Sequence, residues 1–237
     1  MHYLPLTLPL FVLLFLVFLF LILLVEIGVL RYAYQRIGIG GRHIFSLLLL
    51  SLLGSYVNIP VYQLPPEEIS TAGYAVFYGI RYVIPRVVDW PGTVVALNVG
   101  GAVVPAVLSI YLIAKNRLYY QSLVAVVIVT AVVHWLAHPA KGVGIVEPIF
   151  IPPAVAVAAA LLLSRKFAPA LAYISGSLGT LIGADLLNLN QIQGLGAPVA
   201  SIGGAGTFDG IFLTGILAVL LASLMTTTQP ADTNRTK

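Results

Sequence analysis

The chain has no cysteine, and only 8% of its 237 residues are charged. Without thiols there is no disulfide, thiolate nucleophile, Cys-ligated metal or iron–sulfur site. The redox compartment is left open. Soluble domains carry about 25% charged residues. Charge this sparse, with 59% hydrophobic residues and a mean hydropathy of +1.02, excludes an ordinary soluble domain and indicates an integral membrane protein. The formal net charge is +4. Because Lys and Arg stand in short runs between apolar segments, this excess orients the chain in a bilayer and does not mark a nucleic-acid surface.

What is abundant is apolar length. Leu4–Leu30 is almost pure Leu, Phe, Val and Ile, with no basic residue ahead of it and no small-residue cleavage site. It exceeds the ~20 residues that span a bilayer. We therefore read it as a retained anchor and not a cleaved leader. Seven spans follow from hydropathy, at about 4–30, 44–62, 93–114, 121–138, 148–164, 168–188 and 200–225, forming one all-α polytopic bundle (residues 1–225) with a disordered tail at 226–237. Nine Lys and Arg fall on one side (Arg31, Arg36, Arg42, Lys115, Arg117, Arg165, Lys166, Arg235, Lys237) and three on the other (Arg81, Arg86, Lys141). The positive-inside rule then places the protein in the cell membrane with the N-terminus outside and the C-terminus in the cytoplasm.

The outer loop 63–92 is too long for a simple connection. Val76, Tyr78, Ile80, Tyr82 and Ile84 alternate within it, which suggests a short β-hairpin, either a lid or an interfacial segment anchored by Tyr and Trp90. Gly54-Ser-Tyr-Val-Asn58-Ile-Pro with Asn98-Val-Gly-Gly-Ala echoes Gly183-Ala-Asp-Leu-Leu-Asn188-Leu with Ser201-Ile-Gly-Gly-Ala. Taken as real, the echo makes spans 1–3 and 5–7 parallel repeats, and paired Gly/Pro-interrupted segments of this kind point to a binding site.

Asp185 and Asp209 are the carboxylates that should be expelled from apolar segments. Each costs roughly 2.5–3.5 kcal/mol at a helix centre on insertion scales, so such residues usually face the interior and serve function. At ~1.5 Å per residue, Asn58, Asn98, His134, His138, Asp185 and Asp209 all lie roughly 20–26 Å from the cytoplasmic ends of their spans. That places them in the outer half of a core ~30 Å thick. The expected site is an outward-facing polar pocket. Asp185 and Asp209 are its candidate catalytic pair, and Asn58, Asn98 and Asn188 are candidate substrate contacts. Each has a plainer reading. Asn58 with Ser51, Gly54 and Ser55 on one helical face also makes a packing strip, as do Gly176, Gly179 and Gly183, and Gly206, Gly210 and Thr214. In an ideal helix Asp185 points away from the Gly183 face, so it meets a partner only if the helix turns differently there.

Three chemistries are compatible. Two carboxylates on adjacent spans can share a proton and activate water in an intramembrane hydrolase, peptidase-like in kind. The nearest analogue, the intramembrane aspartyl proteases, expects Gly-x-Gly-Asp where this chain has Gly206-Thr-Phe-Asp209, and Tyr-Asp where it has Ala184-Asp185. The same carboxylates suit a proton- or cation-coupled carrier of a small solute. His134-Trp-Leu-Ala-His138 has the i, i+4 spacing of a zinc site, with an Asp as third ligand; the plain alternative is a His ending the helix before Pro139. Glu147 is available to either site. No other cofactor is expected, and the partners are the bilayer and a membrane-embedded peptide or small solute.

The runs Gly179-Thr-Leu-Ile-Gly-Ala-Asp-Leu-Leu-Asn-Leu and Leu195-Gly-Ala-Pro-Val-Ala-Ser-Ile-Gly-Gly-Ala-Gly-Thr-Phe-Asp-Gly-Ile-Phe-Leu-Thr-Gly, with Gly54-Ser-Tyr-Val-Asn-Ile-Pro, resemble an uncharacterised prokaryotic family of multi-spanning membrane proteins, a domain of unknown function. The resemblance runs along nearly the whole chain. It implies a polytopic membrane domain and carries over no activity or catalytic residue.

Overall fold

The computed structural model describes residues 16, 19, 26–77, 80–140, 144–193, 197–204 and 210–226. Most of them are helical. Helix α1 (Glu26–Arg36) and α2 (Gly41–Gly54) are bent by 118° at the break between them. The break is chemical in origin. Gly38 has φ +88°, the Ile39 N–H bonds to Tyr34 O and the Gly38 N–H to Gln35 O, the paired bonds that close a helix on a left-handed glycine. Helix α3 (Val104–Asn116) follows a π-helical turn, Val99–Val103. Helix α4 is Tyr119–Leu136 and α5 is Ile151–Leu163, whose Pro152 and Pro153 occupy first-turn positions that need no N–H.

Helix α6 (Ala168–Thr180) is the centre of the bundle, packed against α3, α4, α5 and α7 (Gly210–Met225). Its small residues permit that. A Cβ on Gly179 would stand 2.6 Å from Val129, and one on Gly183 would stand 2.7 Å from Thr130 O. The Gly176–Gly179–Gly183 face is therefore a contact surface toward α4 and, through Thr214, toward α7. At Leu181 the helix loosens into a π-turn, Leu181–Asp185, and then tightens into a 3-10 helix, Leu186–Gln191.

Seven strands complete the described chain: β1 Asn58–Gln63, β2 Glu67–Phe77, β3 Ile80–Trp90, β4 Val94–Asn98, β5 His138–Ala140, β6 Gly144–Val146 and β7 Val199–Ile202. Strands β2 and β3 pair antiparallel as an 11-residue hairpin, Glu67 opposite Trp90 and Phe77 opposite Ile80. The alternating stretch of loop 63–92 is thus a hairpin, longer than the short one expected. Strands β1, β4 and β7 form a mixed sheet in that order, β1 antiparallel and β7 parallel to β4. The β-branched run of β4 sits in the middle, with Val95 and Ala96 buried. Pro60, which has no N–H to give, lies at a register shift on the edge strand β1.

Several expected spans are corrected by this sheet. Residues 44–62, 93–114 and 200–225 are not continuous helices, because one end of each (58–63, 94–98 and 199–202) is a strand. Among the described residues, three helices are by length and composition able to cross a membrane, or up to four if the bent α1–α2 pair is one span; α5 and α7 are shorter apolar helices. Most of Leu4–Leu30, and the tail beyond Thr226, lie outside the described residues.

Candidate functional site

Asn98 ends β4 and caps the π-turn that follows. Its Oδ1 accepts the Gly101 N–H at 2.7 Å, while its Nδ2 donates to Ser55 O at 2.8 Å and to Asn58 Oδ1 at 3.1 Å. Ser201 on β7 reaches the same Asn58 oxygen from the other side, Oγ at 2.6 Å, and lies equally close to Gly204 O. Asn98 is fully buried, Ser201 is half-buried and Asn58 is exposed. The arrangement therefore has a buried keystone and an accessible polar lip.

Asp185 joins this lip from the far side. It ends the π-turn of α6, and its Oδ2 accepts the Gly203 N–H at 2.7 Å. Gly203 and Gly204 both have positive φ (+88° and +76°), a backbone that turns sharply after β7 and presents the N–H to the carboxylate. The junction has no spare room. A Cβ on Gly203 would stand 2.5 Å from Ala102 N, and one on Gly101 would stand 1.9 Å from Gly203 O. The Gly-Gly pairs of the two echoing segments are therefore where the two chain segments touch, with Leu97 opposite Ile202 in the parallel pair.

Of the residues singled out in the sequence, Asn58, Asn98 and Asp185 are brought to one end of the bundle. Asn58 does not share a helical face with Ser51, Gly54 and Ser55, since α2 ends at Gly54 and Asn58 opens β1. Asp185 has the altered turn that an inward-facing position required. Asn188 is buried and spent locally: its Nδ2 donates to Gly183 O and Ala184 O, and its Oδ1 accepts from Gln191. It satisfies carbonyls released where the helix changes pitch, so its amide is a structural cap. Asp209 lies outside the described residues, and the separation of the two aspartates with it. Its neighbour Gly210 begins α7, with Glu147 Oε1 3.1 Å from where a Cβ would stand.

The histidines do not share one helical face. Helix α4 ends at Leu136, and His138 is extended in β5, because the residue before Pro139 is pushed out of the helical region. Both rings are exposed, and His138 Nδ1 lies 3.1 Å from Leu136 O. Among the described residues, no three His, Asp or Glu side chains are grouped to hold a metal ion.

Ser201, Ser55 O and the two Gly-Gly turns were not assigned to the site from sequence. The signal for them was the repeated Asn/Ser-x-Gly-Gly-Ala, which marks the register and not the hydrogen bonds.

The fold and this end-site define a mostly helical protein with, among the described residues, three to four helices apolar enough to cross a membrane and a polar junction at one end of the bundle. The chain belongs to the family described as "Protein of unknown function (DUF1614)", whose model matches residues 52–221. No curated protein and no solved structure matches it.

Proposed function

We propose that this is a multi-pass membrane protein whose end-site, Asp185 with Asn58, Asn98 and Ser201, takes up a small polar solute coupled to a proton or cation. One observation carries the reading: the helices break where the polar groups meet. Helix α2 stops before Asn58, α3 starts through a π-turn after Asn98, and α6 gives way to a π-turn that ends at Asp185. Interrupted helices at a common polar site are the usual construction of secondary carriers, and π-turns concentrate at functional positions. A carboxylate that accepts the backbone N–H of a Gly-Gly turn suits this role, because protonation weakens the hydrogen bond that positions the turn.

The exposed surface supports membrane location. On α4, Tyr119 and Tyr120 (63% and 73% exposed) and Trp135 (82%) flank exposed Leu123, Val127 and Ile128. Fifteen residues separate Tyr120 from Trp135, roughly 22 Å along a helix, with aromatic anchors at both ends. We retain seven spans with the C-terminus in the cytoplasm as the topology. Arg36, which donates to Ser223 O at the end of α7, and Lys115, which donates to Gly38 O, stand among the basic residues counted on the cytoplasmic side.

Purified protein in liposomes loaded with a pH dye, challenged with pools of small solutes, tests the reading. Solute-dependent proton movement lost in Asp185→Asn and kept in Asn188→Leu is expected. The second reading is an aspartate-dependent hydrolase, favoured by the Glu147 carboxylate lying at the first residue of α7, beside Asp209 in sequence. Turnover of a membrane-embedded peptide with no solute-driven proton movement would select it. The zinc reading has as its test metal analysis of purified protein, with bound zinc lost in His134→Ala.

A further inference from the structure

A groove of about 590 Å³ opens on the flank of the bundle between α2 and the π-turn with α3. Its walls are apolar: Leu47 and Leu50 on one side, Val99, Val103 and Val107 on the other. Among the described residues the α1–α2 bend leaves it open, since α1 is tied instead to the end of α7 through Arg36. The groove's polarity is confined to one end, where His43, Ser46 and Tyr111 line it. Lys115 stands at that mouth, its Nζ 5.4 Å from the Tyr111 ring and bonded to Gly38 O at 2.7 Å, and Arg42 is exposed beside His43. No Asp or Glu occurs between residues 27 and 66 or between 90 and 146, so neither wall carries a carboxylate to oppose these cations.

An apolar trough with one cationic end is complementary to an amphiphile with an anionic head. A soluble anion has no use for the valine wall, and a neutral lipid has none for Lys115 and Arg42. From Tyr111 to Val99 the wall runs twelve residues, roughly 18 Å. That is close to the hydrocarbon depth of one leaflet, half of ~30 Å. Basic pockets between spanning helices are established seats for anionic lipid headgroups. We infer that the groove binds an anionic phospholipid, with one acyl chain along Leu47, Leu50, Val103 and Val107 and its phosphate at Lys115, Arg42 and His43. The far end of the chain rests on Val99, one residue past Asn98, which brings the lipid against the π-turn of the polar junction.

The test is native mass spectrometry of the delipidated full chain titrated with phosphatidylglycerol or phosphatidylcholine of matched acyl chains. Phosphatidylglycerol is expected to bind about tenfold or more tightly, since each surface Lys or Arg contributes about 1 kcal/mol toward an anionic lipid. The double variant Arg42→Gln/Lys115→Gln should lose the preference, and Val107→Trp should weaken both lipids. Equal binding of the two lipids, or a preference unchanged in the double variant, overturns the headgroup site; a Val107→Trp protein that binds as wild type overturns the seat of the chain. A diazirine-tailed phosphatidylglycerol on the wild-type protein reads the same question without substitutions. Crosslinks on α2 and α3 support the site, and crosslinks confined to other helices contradict it.

Discussion

Asn98 binds three chain segments with one side chain: the end of α2 through Ser55 O, strand β1 through Asn58 and its own following turn through Gly101 N–H. Replacing it with Ala leaves a buried carbonyl and a buried N–H without their partners, at about 1–3 kcal/mol for each group. Asn98→Ala should therefore destabilise clearly more than Asn58→Ala, whose side chain is exposed; thermal unfolding in detergent compares them. The glycines of the junction make a second contrast. Gly101→Ala forces a methyl into Gly203 O and should cost about 1–3 kcal/mol or more, as overpacking does. Gly41→Ala meets nothing within 4 Å and should change little. At this scale the sequence was informative about which residues matter and silent about how. Asn58, Asn98 and Asp185 stood out as polar groups in apolar runs. That Asn98 divides its amide between two backbone groups and the Asn58 side chain depends on a strand ending there, which a hydropathy profile does not register.

Elements were legible where a pattern had a single structural solution. The alternation of 76–84 reads as a hairpin, and α4 differs from its expected bounds by only two residues at each end. Apolar runs of about 20 residues were read as unbroken helices because strand and helix interiors are equally apolar. The five residues of β4 are hidden in this way within the run that continues into α3. The break in α6 has a sequence partner, visible only afterwards: Asn188 caps Gly183 O and Ala184 O, the carbonyls released where the helix changes pitch. Asn188→Leu should remove that cap and destabilise by about 1–3 kcal/mol, the cost of a buried carbonyl left without its partner, with proton coupling kept in whatever protein folds. At the end of α3, Arg117 holds φ +53°, a left-handed conformation that costs an L-residue about 1–2 kcal/mol. Arg117→Gly should recover up to about 1 kcal/mol, less the entropy glycine gains in the unfolded chain, and raise the unfolding temperature accordingly.

For the molecule as a whole, the described helices show an apolar exterior, on α4 flanked by aromatic residues at both ends, and the polar groups collect at one end where helices give way to a small sheet. On the proposed membrane reading, α4 lies in lipid. In a Trp90→Phe protein Trp135 is the remaining tryptophan, and phospholipids brominated near the headgroup should quench it more than those brominated near the chain end. Unquenched fluorescence would put α4 in water. Hydropathy alone indicated a membrane class and an outer polar set. The sheet that assembles this set arises from pairings between residues distant in sequence, such as Asn58 with Asn98 and Val94 with Val199, and no local pattern encodes those.

The most direct test of Asp185 as a working carboxylate compares proton movement in liposomes holding wild-type, Asp185→Glu and Asp185→Asn protein, each checked for folding by size-exclusion chromatography. A solute-dependent proton signal in wild type, weakened with a shifted pH profile in Asp185→Glu and absent in folded Asp185→Asn, is the predicted result. A folded Asp185→Asn protein that moves protons as well as wild type would reduce Asp185 to a brace for the Gly203 turn and contradict the account.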